Sequence, residues 1–180
     1  NAADFHAVVI SDYAKGSIHG ELLEWVAAAA GRGKIVCIVD PKKENYERYR
    51  SPTLITPNHS EASEASGIRI TDEASLIAAG KKLLRKWRAG AVLITRGGEG
   101  MSLFRPGSPV KHFPTEPRPV FEVTGAGDTV VAVCALVLAG GARYTDAAVL
   151  ATLAAGFVGD EVGTVAVAIE KLKRSIEDIS

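Results

Sequence analysis

Short apolar runs alternate with amphipathic stretches along the first half of the chain. Four of these runs predict buried β-strands, because each is continuously apolar and ends on polar or turn residues. They are Ala7–Ile10, Ile35–Val39, Thr53–Thr56 and Ala91–Thr95. Helical spacing of apolar residues predicts helices over Ser17–Ala30 and Glu73–Arg88. Strands that are apolar on both faces and alternate with helices predict a parallel sheet covered on both sides.

The pattern changes after Thr95. Three short runs separated by Pro and Gly turns predict an antiparallel edge of the sheet. They are Met101–Phe104, Val110–Phe113 and Val120–Val123. Further helices are predicted over Asp128–Leu138, over Thr145–Val158 and over about residues 168–179. One layered α/β unit accounts for the whole pattern, and ligands of such sheets collect beyond the carboxyl ends of the parallel strands.

The composition is that of a globular domain whose balanced charges create no strong electrostatic field. The chain has 180 residues, with 21 basic and 21 acidic side chains, so its charge does not favour nucleic acid or an anionic membrane. Cys37 and Cys134 lie inside apolar runs, which predicts buried free thiols in a reducing compartment. The longest apolar run, Val130–Ala139, is shorter than the roughly 20 residues that span a bilayer. No signal peptide is visible, and we expect a cytoplasmic protein.

The stretch Thr124–Thr129, with the sequence Thr-Gly-Ala-Gly-Asp-Thr, precedes an apolar helix. Its two glycines allow a tight turn whose N–H groups point the same way, and the helix adds its positive end. The turn could therefore bind a phosphate, and Asp128 beside it could accept a proton from an attacking hydroxyl. The alternative is a plain connection in which Asp128 only caps the helix. The pattern alone leaves both interpretations open.

Asn58 and Glu61 follow the third strand and are three residues apart on the first turn of a predicted helix. An amide and a carboxylate so spaced could order the waters of Mg²⁺, or could simply cap the helix. The glycine-rich segment Thr95–Gly100 could border a ligand or be only a hairpin turn.

Two further strand ends carry a carboxylate and a lysine each, in Ser11–Gly16 and in Val39–Lys42. Such charges are often plain loop residues, but the topology places them at the same crevice, where a lysine can meet a phosphate. The basic residues between Lys81 and Arg88 predict a solvated helix face and not a nucleic-acid surface.

The Thr124–Thr129 motif resembles the signature of the ribokinase-like (PfkB-type) carbohydrate kinases. Together with Ser-Asp-Tyr-x-Lys-Gly, Val-Asp-Pro-Lys and Thr-Pro-Asn-x-Ser-Glu, in this chain order, it resembles the heptose-phosphate kinase branch of that family. The resemblance implies a three-layer αβα fold with a mostly parallel sheet, ATP and Mg²⁺ as cofactors, and a sugar phosphate as acceptor. The acceptor implied is D-glycero-D-manno-heptose 7-phosphate, and the parent enzyme would be a homodimer.

The resemblance also implies roles for individual residues. Asp128 would be the catalytic base, and the amides of Gly125, Ala126 and Gly127 would form the anion hole. Glu61 would contact the metal through water. The implied ATP contacts are Asn58, His59, Ser60, Glu61, Thr95, Gly97, Gly100, Thr152 and Gly156. The implied phosphate or substrate contacts are Asp12, Lys15, Lys42 and Arg96.

The chain departs from the family pattern in Ala151–Thr164. Thr152 stands where an Asn is usual, and Asp160 and Glu161 replace a Gly-Lys pair, so acids that pointed inward would weaken nucleotide binding. A dinucleotide-binding oxidoreductase is disfavoured, because no G-x-G-x-x-G follows the first strand and no P-loop motif exists.

Two alternatives stay open: a non-catalytic nucleotide-binding fragment, and a kinase for another sugar such as fructose phosphate or ribose. Because the chain opens almost at once on a strand, we expect residues 1–180 to form one partial domain, the C-terminal, nucleotide-binding part of a sugar kinase. On that expectation the isolated chain binds ATP weakly and turns over little. Its first strand would also be an exposed edge that promotes self-association.

Overall fold

The computed structural model describes residues 5–33, 35–115 and 125–159, together with residues 167, 168, 170, 172 and 173. Several predictions concern residues outside this part of the chain. They are the strand Val120–Val123, the motif residue Thr124, the acids Asp160 and Glu161, and most of the helix predicted over about residues 168–179.

The described residues form one six-stranded sheet and five α-helices. The strands are β1 (Ala7–Ser11), β2 (Val36–Asp40), β3 (Leu54–Ile55), β4 (Ala91–Thr95), β5 (Met101–Phe104) and β6 (Lys111–Phe113). The helices are α1 (Gly20–Gly31), α2 (His59–Ser66), α3 (Glu73–Trp87), α4 (Ala126–Ala139) and α5 (Tyr144–Gly159). Within this part of the chain, no helix is long and apolar enough to cross a membrane.

The strands lie in the sheet in the order in which they occur in the chain. β1 to β4 pair in parallel, and β4, β5 and β6 pair antiparallel. The prediction of a mostly parallel sheet with an antiparallel edge is therefore confirmed. The chain runs antiparallel from β4 onwards because β4 and β5 are joined by a short hairpin, whereas the parallel pairs need longer crossover connections.

Some predicted bounds were wrong by a few residues. α1 begins at Gly20 and not at Ser17, because Gly16 has a left-handed φ of 85° and His19 is still extended. β3 is only two residues long, since Pro52 and Pro57 bracket it and proline has no N–H for a sheet hydrogen bond. The predicted bounds of β4 and β5 match the structure to the residue.

Alternate strand residues enter two separate apolar cores. Val92 and Ile94 pack in the core that α1, α2 and α3 cover, whereas Ala91 and Leu93 pack in the core that α4 and α5 cover. This alternation follows from the two-residue period of a strand. The result is the predicted three-layer αβα arrangement.

Trp87 at the end of α3 fixes the segment that follows β2. Its side chain is fully buried, and its Nε1 donates to the Tyr46 carbonyl at 2.8 Å. The Trp87 ring also contacts the rings of Tyr46 and Tyr49, with centroids 6.1 and 6.4 Å away. This packing positions the 3₁₀ turn Lys43–Asn45 and the tyrosines after it near the carboxyl ends of the parallel strands, where the candidate site lies.

The two cysteines are buried free thiols, as the apolar runs around them predict. Burial raises the pKa of both thiols to about 12. Each sits in a different core: Cys37 is on β2 and faces the α1–α3 layer, and Cys134 is on α4 and faces the core between the sheet and the α4–α5 layer.

Candidate functional site

The carboxyl ends of the four parallel strands bring polar residues together at one edge of the sheet. Asp12 follows β1, Asp40 ends β2, and the Asp12 N–H donates to the Asp40 carbonyl at 3.2 Å. Asn58 follows β3 and lies beside Thr95 at the end of β4, in a parallel bridge between the two. The crevice that the topology predicts is thus bordered by residues from all four strands.

Asp12 is a buried carboxylate with a full set of donors. It is 1% exposed, and it accepts hydrogen bonds from the Tyr49 hydroxyl at 2.6 Å, the Asn45 Nδ2 at 2.7 Å and the Ala14 N–H at 2.8 Å. Burial by itself raises the pKa of Asp12, but the hydrogen bonds to its ionised form outweigh burial and lower that pKa. Asp12 therefore anchors the loop after β1, and the phosphate or substrate contact that the resemblance implies for it stays a prediction.

Asn58 and Glu61 cap α2 reciprocally. The Asn58 Oδ1 accepts from the Glu61 N–H at 2.9 Å, and the Glu61 Oε2 accepts from the Asn58 N–H at 2.9 Å. The capping interpretation of this motif is therefore realised. Capping leaves the Glu61 carboxylate able to accept further hydrogen bonds, because each of its oxygens can accept more than one.

Lys42 forms an ion pair with the other oxygen of Glu61. Burial lowers the pKa of Lys42, but the hydrogen bond and charge of Glu61, with Asp40 and Asp12, outweigh burial and raise that pKa. Lys42 is therefore positively charged in the crevice, where its ammonium group could leave Glu61 and bind a phosphate instead.

Asp40 is the most perturbed carboxyl of the crevice. Burial, opposed by Lys42 and reinforced by the carboxylates of Glu61, Asp128 and Asp12, raises its pKa from 3.8 to about 6. The crevice is thus an acidic cluster that Lys42 only partly neutralises. Carboxylate oxygens are the donors that Mg²⁺ prefers, but within the described part of the chain no three acidic, His or Cys side chains are grouped so that they could hold a metal ion directly. The water-mediated contact of Glu61 with the metal stays a prediction.

The Thr124–Thr129 motif enters the crevice at the N-terminus of α4, from Gly125 onward. Gly125 precedes the helix with a φ of 87°, a left-handed conformation that favours glycine. Asp128 lies inside the first turn, and among the described residues the N-cap Gly125 has no side-chain cap, so Asp128 is not the N-cap residue. The first N–H groups of a helix have no partner in its own ladder, and they carry its positive end.

The Asp128 carboxylate is exposed and accepts a hydrogen bond from the Tyr13 hydroxyl at 3.2 Å. Tyr13 belongs to the loop after β1, so this contact joins the α4 layer to the end of the first strand.

The glycine-rich loop after β4 has a structural explanation of its own. Gly97 and Gly100 have φ values of 57° and 82°, and a Cβ at Gly100 would collide with the Phe113 carbonyl. Arg96 is paired with Glu99 within the loop, at 2.8 Å. The nucleotide contacts of Thr95, Gly97 and Gly100 and the phosphate contact of Arg96 stay predictions.

The remaining predicted residues lie around this crevice or on α5. His59 and Ser60 are exposed in the first turn of α2, and Lys15 is exposed in the loop after β1. Thr152 donates its hydroxyl to the Ala148 carbonyl inside α5 at 2.8 Å. Thr152 and Gly156 are four residues apart in that helix and so share one face. Their contacts with ATP stay predictions.

A family model described as pfkB family carbohydrate kinase matches residues 1–171. The chain belongs to this family. It is 52% identical over 160 residues to the bifunctional protein HldE of Geobacter metallireducens, covering 89% of this chain and 33% of that protein. It is 42% identical over 177 residues to HldE of Syntrophotalea carbinolica, covering 98% of this chain and 36% of that protein. The chain thus spans about a third of the length of the curated relatives it matches.

Two solved sugar-kinase structures share the fold. Phosphofructokinase-2 from Escherichia coli in complex with potassium aligns with a TM-score of 0.81 at 22% identity, covering 93% of this chain and 55% of that one. Ribokinase of Arabidopsis thaliana complexed with ribose and ATP aligns with a TM-score of 0.75 at 21% identity, covering 98% of this chain and 56% of that one. The ribokinase-like fold predicted from the motifs is therefore confirmed.

Three residues of the crevice were not predicted from the sequence. Asn45 and Tyr49 lie in a segment that gave no clear pattern, and Tyr13 entered only as a letter of a motif. The signal available was weak: Asn45 and Tyr49 are four residues apart, so they can share a face of one helical turn. Nothing local shows that their partner Asp12 is 33 and 37 residues away.

Proposed function

We propose that this chain carries the phosphoryl-transfer site of an ATP-dependent sugar-phosphate kinase. The acceptor proposed is D-glycero-D-manno-heptose 7-phosphate, and the product is a heptose 1,7-bisphosphate. Membership of the PfkB family supports the kinase class, and the 52% identity to an HldE protein supports the heptose branch. The observation that carries the proposal is an exposed carboxylate, Asp128, in the first turn of a helix whose N-terminus opens on an acidic crevice.

Asp128 would accept the proton of the acceptor hydroxyl as that oxygen attacks the phosphorus. Its exposure allows a sugar hydroxyl to reach it, and its place in the first turn of α4 brings it next to the helix N–H groups. The N–H groups of Gly125, Ala126 and Gly127 would stabilise the charge on the transferred phosphoryl oxygens. Such a reaction requires mainly positioning and electrostatic stabilisation from the protein.

Kinases of this family use ATP and a divalent metal, and we propose Mg²⁺ as that metal, held mainly through water because few protein ligands are grouped in the crevice. Bound magnesium would neutralise phosphate charge during transfer. Glu61 and Asn58 would orient waters around the ion from the N-terminus of α2, where their mutual hydrogen bonds fix both side chains. Lys42 would contact a phosphate oxygen, which requires it to leave Glu61 or to bind both.

An assay of ADP release by the full-length protein that carries this chain tests the proposal. We expect turnover of heptose 7-phosphate with ATP and Mg²⁺, and much lower rates with fructose 6-phosphate and ribose. A preference for either of the latter two would contradict the heptose assignment.

Asp128→Asn tests the role of the base. Loss of a general base costs about 10²- to 10⁴-fold, so we expect kcat to fall in that range while ATP affinity is kept. Asp146→Asn is the matched control, because Asp146 is also in the first turn of a helix and pairs with Arg143 away from the crevice. Turnover by Asp128→Asn close to that of the control would refute the assignment.

A further inference from the structure

The hydroxyl of Tyr13 lies 3.2 Å from one oxygen of the Asp128 carboxylate and 3.5 Å from the other. The two residues are 115 positions apart in the chain, and they come from the loop after β1 and from the first turn of α4. Tyr13 is 60% exposed, so packing of its ring does not by itself account for its position. The position of Tyr13 is instead determined by the loop that carries it.

That loop is unusually well anchored on both sides of Tyr13. The residue before it, Asp12, is the buried carboxylate that binds Tyr49 and Asn45. The residue after it, Ala14, donates its N–H to the same Asp12 carboxylate at 2.8 Å and has a left-handed φ of 55°. A non-glycine residue adopts that conformation only where its surroundings impose it.

The anchoring continues into the core. Tyr49 donates to Asp12 and packs its ring against Trp87, which is fully buried. An exposed side chain on a loop fixed in this way has a defined position, although its own ring is in solvent. The path from Trp87 through Tyr49 and Asp12 therefore sets where the Tyr13 hydroxyl lies.

Two roles fit a hydroxyl at this distance from a base. It could occupy the place of the acceptor hydroxyl and block the site, or it could orient the carboxylate and leave room for the acceptor. A carboxylate offers about four acceptor positions on two oxygens, and Tyr13 makes its shorter contact with only one oxygen. Room for a second hydroxyl therefore remains, which favours orientation over blocking.

We propose that Tyr13 is a positioning residue for Asp128, orienting its carboxylate from a loop that the buried Asp12–Tyr49 hydrogen bond anchors. This role rests on the proposed function of Asp128 as the base. An exposed Asp side chain in the first turn of a helix samples several rotamers, and a fixed donor reduces that freedom. Orientation of this kind affects the chemical step and not the binding of ATP.

Tyr13→Phe in the full-length protein tests the proposal, since it removes one hydroxyl from an exposed side chain. We expect kcat to fall about three- to tenfold, the range for one hydrogen bond, while the KM for ATP stays unchanged. Trp25→Phe is the control, because Trp25 is a half-exposed aromatic residue on α1 outside the crevice. It should leave both constants unchanged.

A second readout does not need turnover. Carbon-detected NMR of the Asp side-chain carboxyls, with Asp128 assigned through Asp128→Asn, should show the Asp128 resonance shifted in Tyr13→Phe and unshifted in Trp25→Phe. Equal kcat in Tyr13→Phe and the starting protein, or a higher kcat as blocking requires, would overturn the proposal and leave the proposed function standing. If no sugar phosphate is turned over at all, the proposed function fails. In that case the NMR comparison tests the contact by itself. A shifted Asp128 resonance in Tyr13→Phe supports the orienting contact, and an unshifted one overturns it.

Discussion

Asp40→Asn should make the protein more stable at neutral pH than it is with its own residue. Burial and the neighbouring carboxylates raise the pKa of Asp40 from 3.8 to about 6. Each unit of such a difference corresponds to about 1.4 kcal/mol, so the ionised side chain destabilises the folded state by up to about 3 kcal/mol. The side chain is partly exposed, and solvent screening reduces the expected value to about 1–2 kcal/mol.

The sign follows from the direction of the shift. A carboxyl whose folded-state pKa is raised contributes stability that is present below its unfolded pKa. That contribution is lost as the pH rises through the folded pKa, here between pH 3.8 and about 6. The Asn side chain does not ionise, so the variant should gain stability relative to the starting protein across this window. The gain should reach its full value above about pH 7.

Urea unfolding at pH 4 and pH 8, followed by the fluorescence of the buried Trp87, measures this gain. Glu44→Gln is the control, since Glu44 is an exposed carboxylate on the same connection and its loss removes the same charge. We expect the control to change stability by less than about 0.5 kcal/mol at either pH. An Asp40→Asn variant that is equally or less stabilised at pH 8 than at pH 4 would refute the electrostatic account of the crevice.

Two further predictions concern the loop after β4 and the first strand of the sheet. Gly100→Ala should destabilise the protein by about 1–3 kcal/mol in urea unfolding, because its φ is 82° and the new Cβ would meet the Phe113 carbonyl. Gly97→Ala, with a positive φ but open space, should cost less, and equal costs would contradict the steric reason. Val9 is 44% exposed on β1, which is the outermost strand of the sheet that the described residues form and carries no charge to discourage pairing. Val9→Lys should therefore reduce any concentration-dependent association of the isolated chain in sedimentation velocity. A chain that stays monomeric at high concentration without the substitution would contradict this.

The alternation of apolar and amphipathic stretches was enough to predict the layers and to place the described strand bounds within one residue. β4 and β5 were predicted to the residue because their apolar runs are uninterrupted and are bounded by turn residues. β3 was predicted too long, because two prolines shorten its pairing. The crevice was predictable as well, since parallel strands place their carboxyl ends together whatever the loops do.

The finer geometry of the site was not predictable, for a physical reason. The Tyr13–Asp128 contact joins residues 115 positions apart, and it depends on a left-handed Ala14 that no residue preference indicates. Asp12 looked like a free strand-end charge, and only the structure shows it enclosed by Tyr49 and Asn45. Local patterns report burial and turns, whereas such contacts arise from the packing of whole elements.

The negative charge of the crevice affects whether a nucleotide can bind there without a divalent cation. The charges of Glu61, Asp128 and Asp12 all act on Asp40 and raise its pKa, and Lys42 pairs with Glu61. A phosphate group that approached these carboxylates alone would be repelled, and the N-terminus of α4 offers only about half an elementary charge in compensation. A divalent cation changes the balance, because it is attracted by the same carboxylates and neutralises the phosphates in turn. Nucleotide binding at this site should therefore depend steeply on Mg²⁺, and titration calorimetry with ATP in the presence of a chelator should show little binding. Tight binding of metal-free ATP would mean that the carboxylates do not face the phosphates.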